Sequence, residues 1–146
     1  MAISQAVCSV FKRELLKGNH DFDGTGSVAY YIALYTSSAT LGAATTAYSS
    51  SNEVTNASGS AYSAGGKALT SPTVTLSGTT AFVDFADISW TSASFTARGC
   101  MIFNDSASGD PSVCCIDFGG DKTATNGTFT IQFPTADSSD AIIRIA

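Results

Sequence analysis

Apolar residues near the start of the chain repeat with one spacing, and those further along repeat with another. Ile3, Val7, Val10, Phe11 and Leu15 fall at intervals that line one face of a helix. Ser4 stands where an N-cap would accept hydrogen bonds from the free amides of the first turn. Lys12, Arg13 and Lys17 lie towards the far end, where the helix dipole favours cations, and Gly18 is a natural stop. The spacing predicts an amphipathic helix or arm within residues 1–18. It has two possible roles: covering the chain's own sheet, or docking on a neighbouring subunit.

From Val28 onward the spacing is that of strands. Val28 to Tyr35 is apolar on both sides, with Val28, Tyr30, Ile32 and Leu34 on one and Ala29, Tyr31, Ala33 and Tyr35 on the other. Such a strand is either central, with both faces covered, or it turns a tyrosine-bearing face to a partner. Residues 36–71 are mostly Ser, Thr, Ala and Gly. A structureless stretch of that length is unusual in a compact domain, so short strands are expected near Tyr48 to Val54 and Lys67 to Thr70, with a contact loop from Ala61 to Gly66. Further strands are expected at Val74 to Leu76, Ala81 to Asp87, Ile88 to Trp90, Ser94 to Phe103, Val113 to Phe118, Thr128 to Phe133 and Ala141 to Ile145. Turns are expected at Ser77-Gly78, Gly109-Asp110-Pro111, Gly119-Gly120-Asp121 and Asn126-Gly127. This order predicts an all-β fold, an antiparallel, jelly-roll-like β-sandwich over residues 27–146, forming one domain with the N-terminal helix.

Composition sharpens that picture. A chain of 146 residues suits a single core, and it buries roughly two thirds of its unfolded surface without needing a staple. Charged residues make up only 13%, about half the usual share; small hydroxyl and aliphatic residues replace them. A charge-poor surface rich in small residues suits close packing against neighbours, a reading placed ahead of a merely hydroxyl-coated exterior. The formal net charge is −5, and no basic stripe with interleaved aromatics offers a nucleic-acid surface. The longest apolar run is far short of the roughly 20 residues that span a bilayer. Met1 to Gln5 lacks the pattern of a secretory leader, so synthesis in a cytoplasm is expected.

Candidate chemistry is sparse. His20 is the single histidine, and with no Gly-x-Ser-x-Gly elbow it is read as a surface turn residue and not a triad base. Asp21, Asp23, Thr25 and Gly26 follow the opening of a calcium loop, but Ile32 stands where the closing Glu belongs. Asp84, Asp87 and Asp117 are read as carboxylates that keep sheet edges in water, not as a glycosidase pair. Asn56, Asn104 and Asn126 begin matches to the glycosylation pattern, which Ser/Thr-rich sequence produces by chance. Cys8, Cys100, Cys114 and Cys115 contain no C-x-x-C pair. They are expected as small buried hydrophobes, with later oxidation open to them, whether as a staple within the chain or a cross-link between subunits. No catalytic residue, cofactor or metal is expected.

Several blocks of sequence resemble small virion structural proteins of tailed bacteriophages, often those of aquatic bacteria. The blocks are Ser9 to Leu16, Ile32 to Leu41, Thr46-Ala47-Tyr48 with Asn52-Glu53-Val54, Tyr62 to Leu69, Trp90 to Gly99, Asp117 to Lys122 and Gly127 to Pro134. The resemblance implies a virion component made in the host bacterial cytoplasm, whose partners are other virion proteins and copies of itself. The foremost role is a capsid decoration or cement subunit, with Val7, Phe11, Tyr31, Tyr35 and Tyr62 as candidate contacts. A tail, baseplate or fibre component is the alternative. A third reading is a carbohydrate-binding module that uses Trp90 and loop tyrosines.

Overall fold

The computed structural model describes residues 2–26, 28–55 and 57–146. The first element is a strand, β1 (Ala6–Val7), followed by the helix α1 (Ser9–Leu16). Then come β2 (Tyr30–Tyr35), β3 (Lys67–Ala68), β4 (Thr73–Ser77), β5 (Thr80–Asp84), β6 (Ile88–Asn104), β7 (Ser112–Ile131) and β8 (Ile143–Ile145). They form two antiparallel sheets, ordered β1-β7-β6-β2-β3 and β4-β5-β8. The all-β sandwich with one short N-terminal helix is the architecture that the strand spacing predicts.

The helix starts later than its periodicity implies. Ala6 and Val7 pair with Cys115 and Cys114, Cys8 N donates to Val113 O at 2.9 Å, and Ser4 N donates to Leu41 O at 2.8 Å. Ser4 is therefore not the N-cap. Cys8 takes that position in extended conformation without a side-chain cap. One more helical turn would add little stability on its own, whereas the ladder to β7 supplies partners for the same backbone groups. Gly18, with φ +79°, ends the helix as expected.

β6 and β7 are each longer than the separate strands expected there. Ile88 to Trp90 and Ser94 to Phe103 fuse across Ser92 (φ +51°), where a step of three residues in β6 faces a step of two in β7. Between Ala97 and Gly99, a step of two in β6 faces a step of five in β7. The expected turn at Gly119-Gly120-Asp121 is thus a wide bulge within β7, with Gly119 at φ +78°. Asn126-Gly127 also lies within β7, at another register shift. The turn residues bend the strand there because β6 continues alongside and keeps pairing.

β2, β6 and β7 present two apolar faces. Tyr31, Ala33 and Tyr35 share one with Met101, Phe103 and Cys115, while Tyr30, Ile32 and Leu34 share the other with Cys100, Ile102 and Cys114. The Ser/Thr-rich segment covers the first. Tyr48 stacks on Phe103 with ring centroids 4.7 Å apart, and the Tyr35 hydroxyl donates to Ser49 O at 2.7 Å. On the second face, Tyr30 stacks on Phe22 at 4.3 Å and meets Phe85, just beyond β5, at 5.8 Å. This resolves the choice for the Val28–Tyr35 segment: β2 is central and covered on both sides. It also explains how adjacent Cys114 and Cys115 are both buried.

The strand expected at Tyr48 to Val54 is absent. That segment makes single bridges, Tyr35 to Glu53 and Ala47 to Pro111, and individual bonds such as Val54 N to Leu34 O at 2.9 Å. Glu53 anchors it by accepting from the Tyr48 hydroxyl (2.7 Å), the Tyr62 hydroxyl (2.5 Å) and Gly65 N (2.8 Å). Gly66 sits so close to β2 that a Cβ there would lie 1.8 Å from Ile32 O, and its φ is +77°. Gly66→Ala is expected to destabilise the fold by about 3 kcal/mol or more in urea denaturation, against about 1 kcal/mol for Gly59→Ala. Gly59 shares the positive φ but has open space around it.

Candidate assembly surface

Four large apolar side chains are well exposed among the described residues: Leu16 (90%), Leu76 (71%), Ile145 (55%) and Val74 (51%). Three of them, Leu76, Ile145 and Val74, are grouped by the register of the small sheet. Val74 lies opposite Val83, which lies opposite Ile143; Leu76 lies opposite Ala81, which lies opposite Ile145. These two rows share one face. The inner row meets the core at Val83 and Ile143, while the outer row ends at Leu76 and Ile145 in solvent. Val74 and Ile145 line a groove of about 270 Å³ whose other wall includes Phe11, Leu15 and Phe22. Leu16 ends the helix that contributes Phe11 and Leu15.

β4 forms one rim of this surface and is the edge of its sheet. All five of its residues, Thr-Val-Thr-Leu-Ser, are exposed and uncharged. Soluble proteins usually protect such an edge with charge, proline or a bulge. A second apolar cleft, of about 630 Å³, runs beside β7 and is lined by Val7, Ile116, Phe118, Phe129, Phe133 and Ile142 among others.

The contacts expected from sequence are mostly interior. Phe11, Tyr35 and Tyr62 are buried, so none of them offers area to a partner without opening the chain's own core. Phe11 packs on His20 and Phe22. Tyr62 packs on Trp90 and Phe95, and its hydroxyl accepts from Leu34 N at 2.9 Å. Burial pushes the Tyr35 and Tyr62 hydroxyls well above the ordinary phenol range. Val7 and Tyr31 are half-buried, and Val7 lines the β7 cleft. The residues that do reach outward, Leu76 and Ile145, alternate like any half-buried strand. Only the register shows which ends of those rows lie beyond the core.

The remaining candidates also have structural places. Trp90 is buried, under the Lys67 ammonium, so it offers no platform for a sugar. Asp21 Oδ1 accepts from Asp23 N, and Asp23 Oδ1 accepts from Thr25 N and Thr25 Oγ1, so these carboxylates hold a turn. Among the described residues no group of three His, Cys, Asp or Glu could hold a metal ion, and no helix is long and apolar enough to cross a membrane. Asp117 pairs with Arg98 at 3.0 Å, and Asp87 accepts from Phe133 N at 2.8 Å. Asn104 is buried, and its side-chain oxygen accepts from Ser106 N and Ala107 N, which removes it as a glycan acceptor. Asn56 lies outside the described residues.

His20 is not a surface turn residue. It is buried among Phe11, Phe22 and Tyr30, with Nδ1 3.3 Å from the Asn104 amide and Nε2 unpartnered. Burial lowers its pKa from the ordinary 6.5, partly opposed by the Glu14 carboxylate. Below pH 6.5 the unfolded chain takes up a proton that the folded chain refuses, so stability falls with pH through this window. A drop in Tm of about 2–5 °C from pH 7.5 to 5.5 is expected by scanning calorimetry, with a flatter profile in His20→Gln.

Compared with known proteins, the chain matches no protein-family model, no curated protein and no solved structure.

Proposed function

We propose that this chain is a bacteriophage virion structural protein, a decoration or cement subunit that stabilises a capsid through buried contact area. The observation that carries this reading is the grouping of Leu76, Ile145 and Val74 on one face of the small sheet, with Val74 and Ile145 lining an apolar groove, next to an uncharged open strand edge. Large apolar side chains scattered singly over a surface need no explanation. Collected together, they mark a place where another surface sits. Each such side chain contributes about 1.5–3 kcal/mol when fully removed from water, and an obligate interface commonly exceeds about 2,000 Å².

The charge-poor composition supports the same reading, since few ions would have to be desolvated in a tight joint. So does the resemblance of the blocks from Ser9 to Pro134 to small phage virion proteins. The contact set differs from the one expected from sequence: Leu76, Ile145, Val74 and Leu16 take the place of Phe11, Tyr35 and Tyr62.

The test is the composition of purified particles, with Leu76→Asp/Ile145→Asp as the probe. Leu76 is largely exposed and Ile145 about half exposed in the lone subunit, so Leu76→Asp is expected to change its stability by no more than about 0.5 kcal/mol and Ile145→Asp by about 1 kcal/mol, too little to unfold it. Copies per particle, counted by quantitative mass spectrometry, are expected to fall about tenfold or more, and depleted particles to rupture at lower temperature. Few copies confined to one vertex would move the protein to the tail. Particles without the chain, or turnover of a substrate by the purified subunit, would overturn the reading.

A further inference from the structure

The four thiols are all buried, but they are not equivalent. Cys8 and Cys115 lie 3.8 Å apart, sulfur to sulfur, although 107 positions separate them in sequence. Both face Gly42 O, at 3.7 Å from Cys8 Sγ and 3.9 Å from Cys115 Sγ. The β1–β7 register accounts for the meeting. Ala6 lies opposite Cys115, and the Cys8 N to Val113 O bond carries the ladder one step further. Cys8 is therefore the diagonal neighbour of Cys115 on the same face of the sheet. Cys114 points to the other face, towards Cys100, and both are enclosed there.

We propose that Cys8 and Cys115 form an intrachain disulfide when the protein meets a low-molecular-weight disulfide, locking the N-terminal strand and helix onto β7. The Cys8 thiolate attacks one sulfur of the oxidant R–S–S–R. A bond forms between Cys8 Sγ and that sulfur, the oxidant's S–S bond breaks, and the departing thiolate takes up the proton that Cys8 gave. The Cys115 thiol loses its proton and attacks Cys8 Sγ, which breaks the mixed disulfide and releases the second R–SH. Two protein thiols are oxidised by two electrons, and one small disulfide is reduced to two thiols.

The hydrogen bond between the two thiols favours this order, since it lowers the pKa of Cys8 and raises that of Cys115. Burial raises the pKa of Cys100 and Cys114, the latter to about 12, which keeps them protonated and slow to react. The reagent enters by local opening. Residues 2–8 are held by a two-residue strand, the Cys8 N to Val113 O bond, the bonds to Leu41 and the buried Ile3 side chain, an attachment short enough to open locally while the sandwich stays folded. Closing from 3.8 Å to the roughly 2.05 Å of a disulfide needs a side-chain rotation and a small shift of that same short strand.

The experiment treats the purified full-length protein with oxidised glutathione at pH 8, then unfolds it in an alkylating reagent and maps the peptides by tandem mass spectrometry. Alkylatable thiols are expected to fall from four to two. The mass should drop by two hydrogens, and fragmentation should place the bond between Cys8 and Cys115. Tm is expected to rise by roughly 10 °C, because the closed loop is long, and to return on reduction; Cys8→Ser should abolish the rise. Four thiols still free after oxidation, a Cys100–Cys114 bond, a persistent glutathione adduct on Cys8, or a disulfide-linked dimer on a non-reducing gel would each overturn the proposal. The mapping on the unmodified chain decides the matter even where a variant fails to fold.

Discussion

β2, β6 and β7 turn apolar side chains to both sides of the large sheet, and neither side can face water without a large loss. Ile32, Leu34 and Ile102 lie on one face, and Tyr35, Met101 and Phe103 on the other, all essentially inaccessible to solvent. At about 1.5–3 kcal/mol for each large side chain, leaving either face bare would cost an amount comparable to the whole net stability of a typical domain. Two covers are therefore required. On one side the small sheet, with Phe85 and Phe22, closes over Tyr30. On the other, a segment of small polar residues does so, with Tyr48 and the Glu53 hydrogen bonds fastening it.

That second cover accounts for the composition. A loop lying flat on a sheet needs small side chains and backbone groups that find partners one at a time, and Ser, Thr, Ala and Gly meet both needs. Low charge is thus partly an internal requirement of the fold and not only a property of its surface. The surface evidence for assembly rests instead on Leu76, Ile145, Val74 and Leu16, whose exposure no internal packing explains. The outer row of the small sheet ends at Leu76 and Ile145, beyond the area that the core covers.

The N-terminal segment links the two themes. Residues 2–8 close the edge of β7 over only two paired positions, yet they bring Cys8 beside Cys115 and lead into the helix that walls the apolar groove. A covalent bond at this point would hold that helix, and therefore one side of the contact surface, in place.

Strand periodicity, the two-sided apolar segment at β2 and the glycine stop at Gly18 were legible in the chain, because each depends on neighbours within a few residues. The opposite facing of Cys114 and Cys115 followed from the same local alternation. Tertiary structure alone decided the rest. Ala6 and Val7 left the helix because β7 offered partners that no local signal records. Gly119-Gly120 and Asn126-Gly127 became bulges because β6 runs on beside them. His20, Tyr35 and Tyr62 went inside and Leu76 and Ile145 outside, although polarity alone would place them otherwise. Alternation tells which residues share a face. Whether that face meets a core, a loop or open water depends on segments far away in sequence.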